Sequence, residues 1–112
     1  TGTPSVAFTI PEIARVGLSE TDARNRYRHL RVAFNDSANW YSQRRVGETH
    51  SATKILIDED TDRILGAHLL GHGYAEAANL FALAMQNGLA ATHLKRFRSA
   101  YPSVGSDLAS ML

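Results

Sequence analysis

Residues 74–87 form the longest helical pattern in the sequence, and this pattern is apolar on nearly every side. A helix that lies on a sheet needs one apolar stripe and keeps a polar face toward water. Leu80, Leu83 and Ala84 share one side of this helix. The other apolar side, predicted to contact a second copy of the chain, consists of Ala78, Phe81, Ala82 and Met85. The alternative is that terminal segments of the same chain bury both sides.

Five other segments are typical of strands. They cover residues 6–10, 14–18, 29–35, 51–57 and 63–70, and most of them alternate apolar and polar residues. The acidic turn at residues 58–62 joins the last two segments and predicts a β-hairpin.

Shorter helical patterns fill the remaining chain. Ser19 is expected to cap a helix over residues 20–27, and Thr92 a basic helix that ends at Phe97. A final helix is expected from Ser106 onward. This order of elements predicts an α+β fold, an antiparallel sheet of about four to five strands with helices packed on it.

Composition and charge exclude several classes of protein. The formal net charge is +1, and no concentrated basic stripe indicates a nucleic-acid partner. The absence of cysteine excludes a disulfide framework and a thiolate metal site within these residues. No apolar run approaches the length of a membrane span, and no signal-peptide pattern is present. We therefore expect residues 1–112 to form one cytoplasmic domain without a metal site or a membrane anchor.

Three stretches together resemble a known family. They are PSVAFTIPEIARVGLSE at residues 4–20, ILGAHLLG at residues 64–71 followed by Glu76, and AYPS at residues 100–103. Their order and spacing are similar to those of the C-terminal dimerisation domain of the pyridine nucleotide-disulfide oxidoreductases, which include glutathione reductase, dihydrolipoamide dehydrogenase and mercuric reductase. The resemblance implies a C-terminal part of a larger flavoenzyme, with FAD and NAD(P)H domains before Thr1. It also implies a homodimer in which this domain completes the partner's active site.

The third stretch departs from the family motif, which is His-Pro-Thr with a Glu three residues after the Thr. Tyr101 stands at the His position, Ser106 at the Glu position, and Asp107 follows. A His titrates near neutral pH, whereas the ordinary pKa of a phenol is about 10. The resemblance therefore implies one of two roles for Tyr101 and the adjacent Pro102. They form either a donor or wall at the partner's flavin or substrate pocket, or a part of the dimer interface without a chemical role.

Two functions of different classes stay open. The first is the homodimerisation domain of an FAD-dependent NAD(P)H oxidoreductase. The alternative is a free-standing small α+β module that dimerises and holds a ligand between its subunits. Gly66, Gly71 and Gly73 do not have the spacing of a phosphate-binding loop, so FAD and NAD(P)H are expected in the parent chain and not in residues 1–112.

Overall fold

Strands and helices follow one another in the order that the sequence predicts. The computed structural model describes residues 4–7, 13–37, 51–71, 73–96 and 108–112. The strands are β1 (Ser5–Ala7), β2 (Ile13–Gly17), β3 (Leu30–Asp36), β4 (Ala52–Asp58) and β5 (Ile64–Leu70). The helices are α1 (Glu20–Arg26), α2 (Tyr74–Gln86), α3 (Ala91–Lys95) and α4 (Leu108–Met111). None of the helices in these ranges is long and apolar enough to cross a membrane.

The strands of the described ranges form one antiparallel sheet in the order β1-β2-β5-β4-β3. β4 and β5 pair as a hairpin around the acidic turn, which confirms the predicted turn. β5 also pairs with β2, and this contact joins the N-terminal strands to the hairpin. The sheet and the helices packed on it confirm the predicted α+β fold.

Helix α2 packs across β2 and β5 and forms the main core with them. Ala14 and Ala67 lie beneath it in the sheet, and their small side chains permit a close approach of the helix. The buried side chains of α2 recur at spacings of one to three residues and form one stripe along it. They are Tyr74, Ala77, Ala78, Phe81, Ala82 and Ala84.

This orientation corrects the predicted dimer face of α2. Ala78, Phe81 and Ala82 are buried within a single chain, and the half-buried Met85 packs against the same core. Leu83, on the side that was not assigned to the second copy, is 56% exposed. The reason is geometric: at about 100° per residue, Leu83 lies opposite the middle of the buried stripe. The alanines complete that stripe, so its broad apolar surface packs on the sheet.

Helix α1 covers part of the opposite face of the sheet. Its Ala23 is buried in a second cluster with Leu56 and Leu65. Leu65 is the extra residue of a bulge, because Leu56 pairs with Gly66 and Ile57 with Ile64. The helix begins after Ser19, whose hydroxyl oxygen accepts a hydrogen bond from the Asp22 N–H at 3.2 Å. This bond confirms the predicted N-cap.

The start of helix α3 differs from the prediction. Ala90, and not Thr92, occupies the N-cap position, and Thr92 lies in the first turn. Its backbone N–H donates at 2.9 Å to the carboxylate of Asp62, a residue 30 positions earlier. The prediction was wrong because the capping acceptor comes from the β4–β5 turn, which local sequence does not reveal. The predicted end at Phe97 and the predicted β1 residues Phe8 and Ile10 lie outside the described ranges.

Candidate functional site

The predicted active-site residues are Tyr101, Pro102, Ser106 and Asp107, and all four lie outside the described ranges. Helix α3 precedes this segment and helix α4 follows it, and the two helices contact each other. Both contribute side chains to the core beneath α2. The segment that carries Tyr101 is therefore bounded on both sides by helices on the same face of the domain.

Two side chains of β3 hold helix α4 at the end of this segment. The Arg31 guanidinium donates to the backbone oxygen of Leu112 at 3.0 Å. The Asn35 amide donates to the backbone oxygen of Met111 at 3.4 Å. Because Met111 is fully buried as well, α4 is held by apolar packing and by these two hydrogen bonds.

The exposed face of helix α2 offers the candidate surface for a second subunit. We call this face the outer stripe, and it consists of Glu76, Asn79, Leu80, Leu83 and Gln86. Leu83 lies in the middle and is one of the large apolar side chains most exposed within the described ranges. Leu80 beside it is half-buried, and the polar members surround the pair. An apolar centre with a polar rim is typical of a protein interface.

A buried cluster of hydroxyl groups holds the start of helix α2. The Tyr74 hydroxyl donates to Ser37 Oγ at 2.8 Å, and the Ser37 and Ser51 hydroxyls also form a hydrogen bond. Tyr74 opens α2, while Ser37 and Ser51 lie next to β3 and β4, so the cluster ties the helix to the sheet. No sequence pattern indicated this cluster, because its members are 14 and 37 positions apart.

Charged groups on the α1 side form a small network. Hydrogen bonds from Arg24, and secondarily from Lys54, lower the pKa of Glu20 below its ordinary value. The Arg24 contact is 2.7 Å and the Lys54 contact 3.3 Å. Since Lys54 belongs to β4, this network fixes a cation on the sheet face beside α1.

The histidines in the described part of the chain form no convergent site. His68 Nε2 lies 3.1 Å from the Leu18 carbonyl oxygen, and His29 Nδ1 lies 3.0 Å from Asp60 Oδ1. Within the described ranges, no three His, Asp or Glu side chains approach one another in a way that would hold a metal ion.

Comparison with known proteins gives a consistent result. The family model described as "Pyridine nucleotide-disulphide oxidoreductase, dimerisation domain" matches residues 3–111. An uncharacterised 19.7 kDa protein in a mercuric resistance operon of Staphylococcus aureus is 42% identical over 109 residues, which is 97% of this chain and 61% of that protein. The mitochondrial dihydrolipoyl dehydrogenase of Homo sapiens is 37% identical over 102 residues, which is 90% of this chain and 20% of that enzyme.

A solved structure agrees with these sequence matches. The HOCl-induced flavoprotein disulfide reductase RclA from Escherichia coli is similar with a TM-score of 0.92 and 29% identity. The match covers 96% of this chain and 25% of that one. The chain thus spans about three fifths of the staphylococcal relative and about a fifth to a quarter of the two enzymes. The resemblance predicted from the sequence is confirmed: the chain belongs to the family of pyridine nucleotide-disulphide oxidoreductase dimerisation domains.

Proposed function

We propose that this chain is the homodimerisation domain of an FAD-dependent NAD(P)H oxidoreductase. It pairs two subunits through the outer stripe of α2 and brings the segment around Tyr101 to the partner's active site. One observation carries the proposal: a helix of a dimerisation domain exposes Leu83 in the middle of its outward face.

The residues of the outer stripe suit pairing with an identical copy. A two-fold contact places the same surface on both subunits. Glu76 is the one charged member of the stripe and lies near the N-terminal end of the helix. If the two helices cross in antiparallel fashion, Leu80 and Leu83 of both copies meet in the middle and the two carboxylates lie far apart. Apolar side chains are then buried without like-charge repulsion.

Sedimentation velocity of this chain at micromolar concentration tests the pairing. We expect a dimer for the natural sequence and a monomer for Leu83→Lys, because an unpaired ammonium group in an apolar contact is costly. The fold of the variant should be retained, since Leu83 is exposed in one chain, and circular dichroism checks this.

Phe34→Lys is the matched control. It also replaces an exposed apolar side chain by a cation, but on the face of the sheet away from α2, and it should leave the dimer intact. A dimer that persists in Leu83→Lys would exclude the outer stripe, and a monomer of the natural chain would contradict self-association of the domain.

The second part of the proposal concerns the segment with Tyr101. In this proposal the phenol and Pro102 face the flavin or substrate pocket of the partner, and the Tyr101 hydroxyl donates a hydrogen bond there. Ser106 and Asp107, at and beside the family's Glu position, are its proposed polar neighbours. A phenol is a poor base at neutral pH, so the hydroxyl is assigned the part of a donor.

Turnover of the longer enzyme with Tyr101→Phe tests this assignment. The loss of a donor that acts in the transition state should lower turnover about tenfold, which corresponds to about 1.4 kcal/mol. Tyr27→Phe is the control, because Tyr27 packs beside α1 on the other face of the sheet. An unchanged rate in Tyr101→Phe would leave Tyr101 as an interface aromatic only.

FAD and NAD(P)H are proposed as cofactors of the parent chain, bound outside residues 1–112. The names of two relatives, a dihydrolipoyl dehydrogenase and a flavoprotein disulfide reductase, support redox chemistry of this class. Bound flavin would supply electron transfer from NAD(P)H. A cytoplasmic location belongs to the same proposal.

The staphylococcal relative favours a second candidate, a free-standing dimeric module that holds a ligand between its subunits. At 19.7 kDa that protein is far shorter than enzymes of which this domain is a fifth. An immunoblot of the natural protein separates the candidates by mass. A mass several times that of 112 residues, together with flavin absorbance in the spectrum of the purified protein, supports the oxidoreductase. A short chain whose spectrum shows no flavin supports the module.

A further inference from the structure

A pocket of about 190 Å³ lies where strand β2 ends. β2 pairs with β5 as far as Gly17, opposite Gly66, whereas β5 begins two residues earlier at Ile64. Beyond Leu18 the chain turns away into α1, so a gap is left beside the start of β5. The C-terminal ends of α1 and α2 border this gap, which we call the end pocket. Its apolar lining consists of Leu18, Ile64, Leu65 and Met85.

Two arginines from different elements line the end pocket. Arg26 is the last residue of α1, and Arg63 directly precedes β5. The Arg63 guanidinium lies over the residue that follows α2, because its Nη2 is 3.6 Å from the place that a β-carbon on Gly88 would take. Both arginines are exposed. Two cations on one small space repel each other, and an anion between them would be attracted by both.

Neither guanidinium has an anionic partner in the part of the chain that the structure describes. Asp22 lies one turn before Arg26 on α1 but forms no ion pair with it, and the ion pairs that are present join other residues. Two carbonyl oxygens in the last turn of α2 accept hydrogen bonds from the N–H groups of Asn87 and Gly88. Arg63 is therefore not needed to cap α2. The guanidinium donors of both arginines are available to a ligand.

The shape and chemistry of the end pocket select a class of ligand. A guanidinium fork matches a planar carboxylate, to which it donates two parallel hydrogen bonds. Tyr27 adds a half-buried aromatic ring to the apolar lining, so the ligand should carry an apolar body beside its charge. The volume is below the range of about 300–1,000 Å³ that drug-sized ligands occupy. A nucleotide is therefore too large, and inorganic phosphate has no apolar body.

From this geometry we propose that the end pocket binds a small organic carboxylate, such as an acid with a single ring. Its charge lies between Arg26 and Arg63, and its apolar body packs on Leu65 and Met85. All the lining residues belong to this chain, so the site requires neither a second copy nor residues before Thr1. A bound ligand would join the end of α1 to the end of α2, the helix that carries the outer stripe.

Ligand-observed fluorine NMR of the natural protein tests the proposal with 3-fluorobenzoate as the probe. The neutral 3-fluorobenzamide has nearly the same shape and is the control. We expect the resonance of 3-fluorobenzoate to broaden with a Kd of about 1 mM. The amide should bind about tenfold more weakly or not at all, because only the anion is attracted by both guanidinium groups.

Substitution of the two arginines provides the second arm of the test. Arg26→Gln and Arg63→Gln should each weaken the binding of 3-fluorobenzoate about tenfold, because each removes one charged partner of the carboxylate. Arg28→Gln is the matched control, because Arg28 is exposed near Arg26 but does not line the end pocket. The three side chains are exposed, so the variants should fold, and circular dichroism checks this.

Several results would overturn the proposal. Equal affinity for the acid and the amide would show that the charge is not recognised. Unchanged binding in Arg26→Gln or in Arg63→Gln would place the probe elsewhere. Displacement of the probe by an equal concentration of inorganic phosphate would show that the apolar body contributes nothing. The absence of broadening at up to about 10 mM of 3-fluorobenzoate would exclude the site.

Discussion

Asp62 links two elements that are separate in the sequence. It adopts a positive φ of 61°, which Asp tolerates better than most residues do. Its backbone oxygen accepts from the Ala91 N–H at 2.7 Å, and its carboxylate accepts from the N–H and the hydroxyl of Thr92. The residue thus closes the β4–β5 turn and supplies the N-terminal cap that Ala90 lacks. Asp62 therefore helps to orient α3, which leads to the Tyr101 segment, together with the burial of Ala91 and Leu94 in the core.

Removal of the Asp62 charge should lower the free energy of unfolding by an amount that depends on pH. The hydrogen bonds from Thr92 lower the pKa of Asp62 in the folded state below its ordinary value of 3.8. Its contribution is therefore fully present above the unfolded-state pKa and is lost as pH falls through the folded-state pKa. We expect Asp62→Asn, which still tolerates a positive φ, to lower the free energy of unfolding by about 1 kcal/mol at pH 7 and by less near pH 3.

Urea denaturation at the two pH values measures this difference. Asp60→Asn is the control, because it changes the charge of the same turn but contacts His29 and not α3. An equal loss of stability at both pH values would show that the carboxylate charge of Asp62 does not stabilise α3.

Two paired glycines allow the sheet to pass close to α2 and to the chain beyond β2. Gly17 and Gly66 lie opposite each other on β2 and β5. A β-carbon on Gly17 would collide with the Leu65 carbonyl oxygen and would lie 2.6 Å from Met85 Cε. One on Gly66 would collide with the Leu18 carbonyl oxygen. Both collisions involve backbone atoms, which cannot rotate away as a side chain can.

Alanine at Gly17 should therefore destabilise the domain more than alanine at Gly88. Both glycines have positive φ, at 79° and 66°, so both substitutions cost about 1 kcal/mol from the backbone alone. At Gly88 the nearest atom is 3.6 Å away on the Arg63 side chain, so only the backbone cost applies. At Gly17 the collision adds about 1–3 kcal/mol. Thermal unfolding of the two variants gives the order, and equal losses would contradict the crowding at Gly17.

Within the described ranges, large apolar side chains are exposed on opposite sides of the domain, Leu83 on the outer stripe of α2 and Phe34 on the sheet face away from α2. The proposed function assigns the outer stripe to a contact between two copies of the chain. Because an interface between copies forms only in the folded state, association stabilises the fold by mass action. The stability of this domain is therefore expected to depend on its own concentration.

The melting temperature should rise with the concentration of this chain. A tenfold increase adds about 1.4 kcal/mol per dimer, which for two chains of 112 residues corresponds to about 3 °C. Leu83→Lys should melt at a temperature that does not change with concentration, while Phe34→Lys should retain the dependence. Calorimetry over two decades of concentration makes the measurement, and a constant melting temperature for the natural chain would contradict dimerisation at these concentrations.

The sequence by itself determined the strands, the acidic hairpin turn, the Ser19 cap, the extent of α2 and the family. These features depend on residues close together in the chain. The two-residue alternation of a strand, the apolar period of a helix and the capping residues are all local patterns. Only the tertiary structure decided which side of α2 faces the sheet, what caps α3 and which part of the opposite sheet face α1 covers. Those outcomes depend on partners far apart in the chain, such as Ala67 and Phe81 in one core, Asp62 beside Thr92, and Ala23 of α1 in one cluster with Leu56. Because α2 has apolar residues on both sides, its sequence does not determine how the helix is rotated about its axis. In the folded domain the broader, alanine-rich side packs against the sheet.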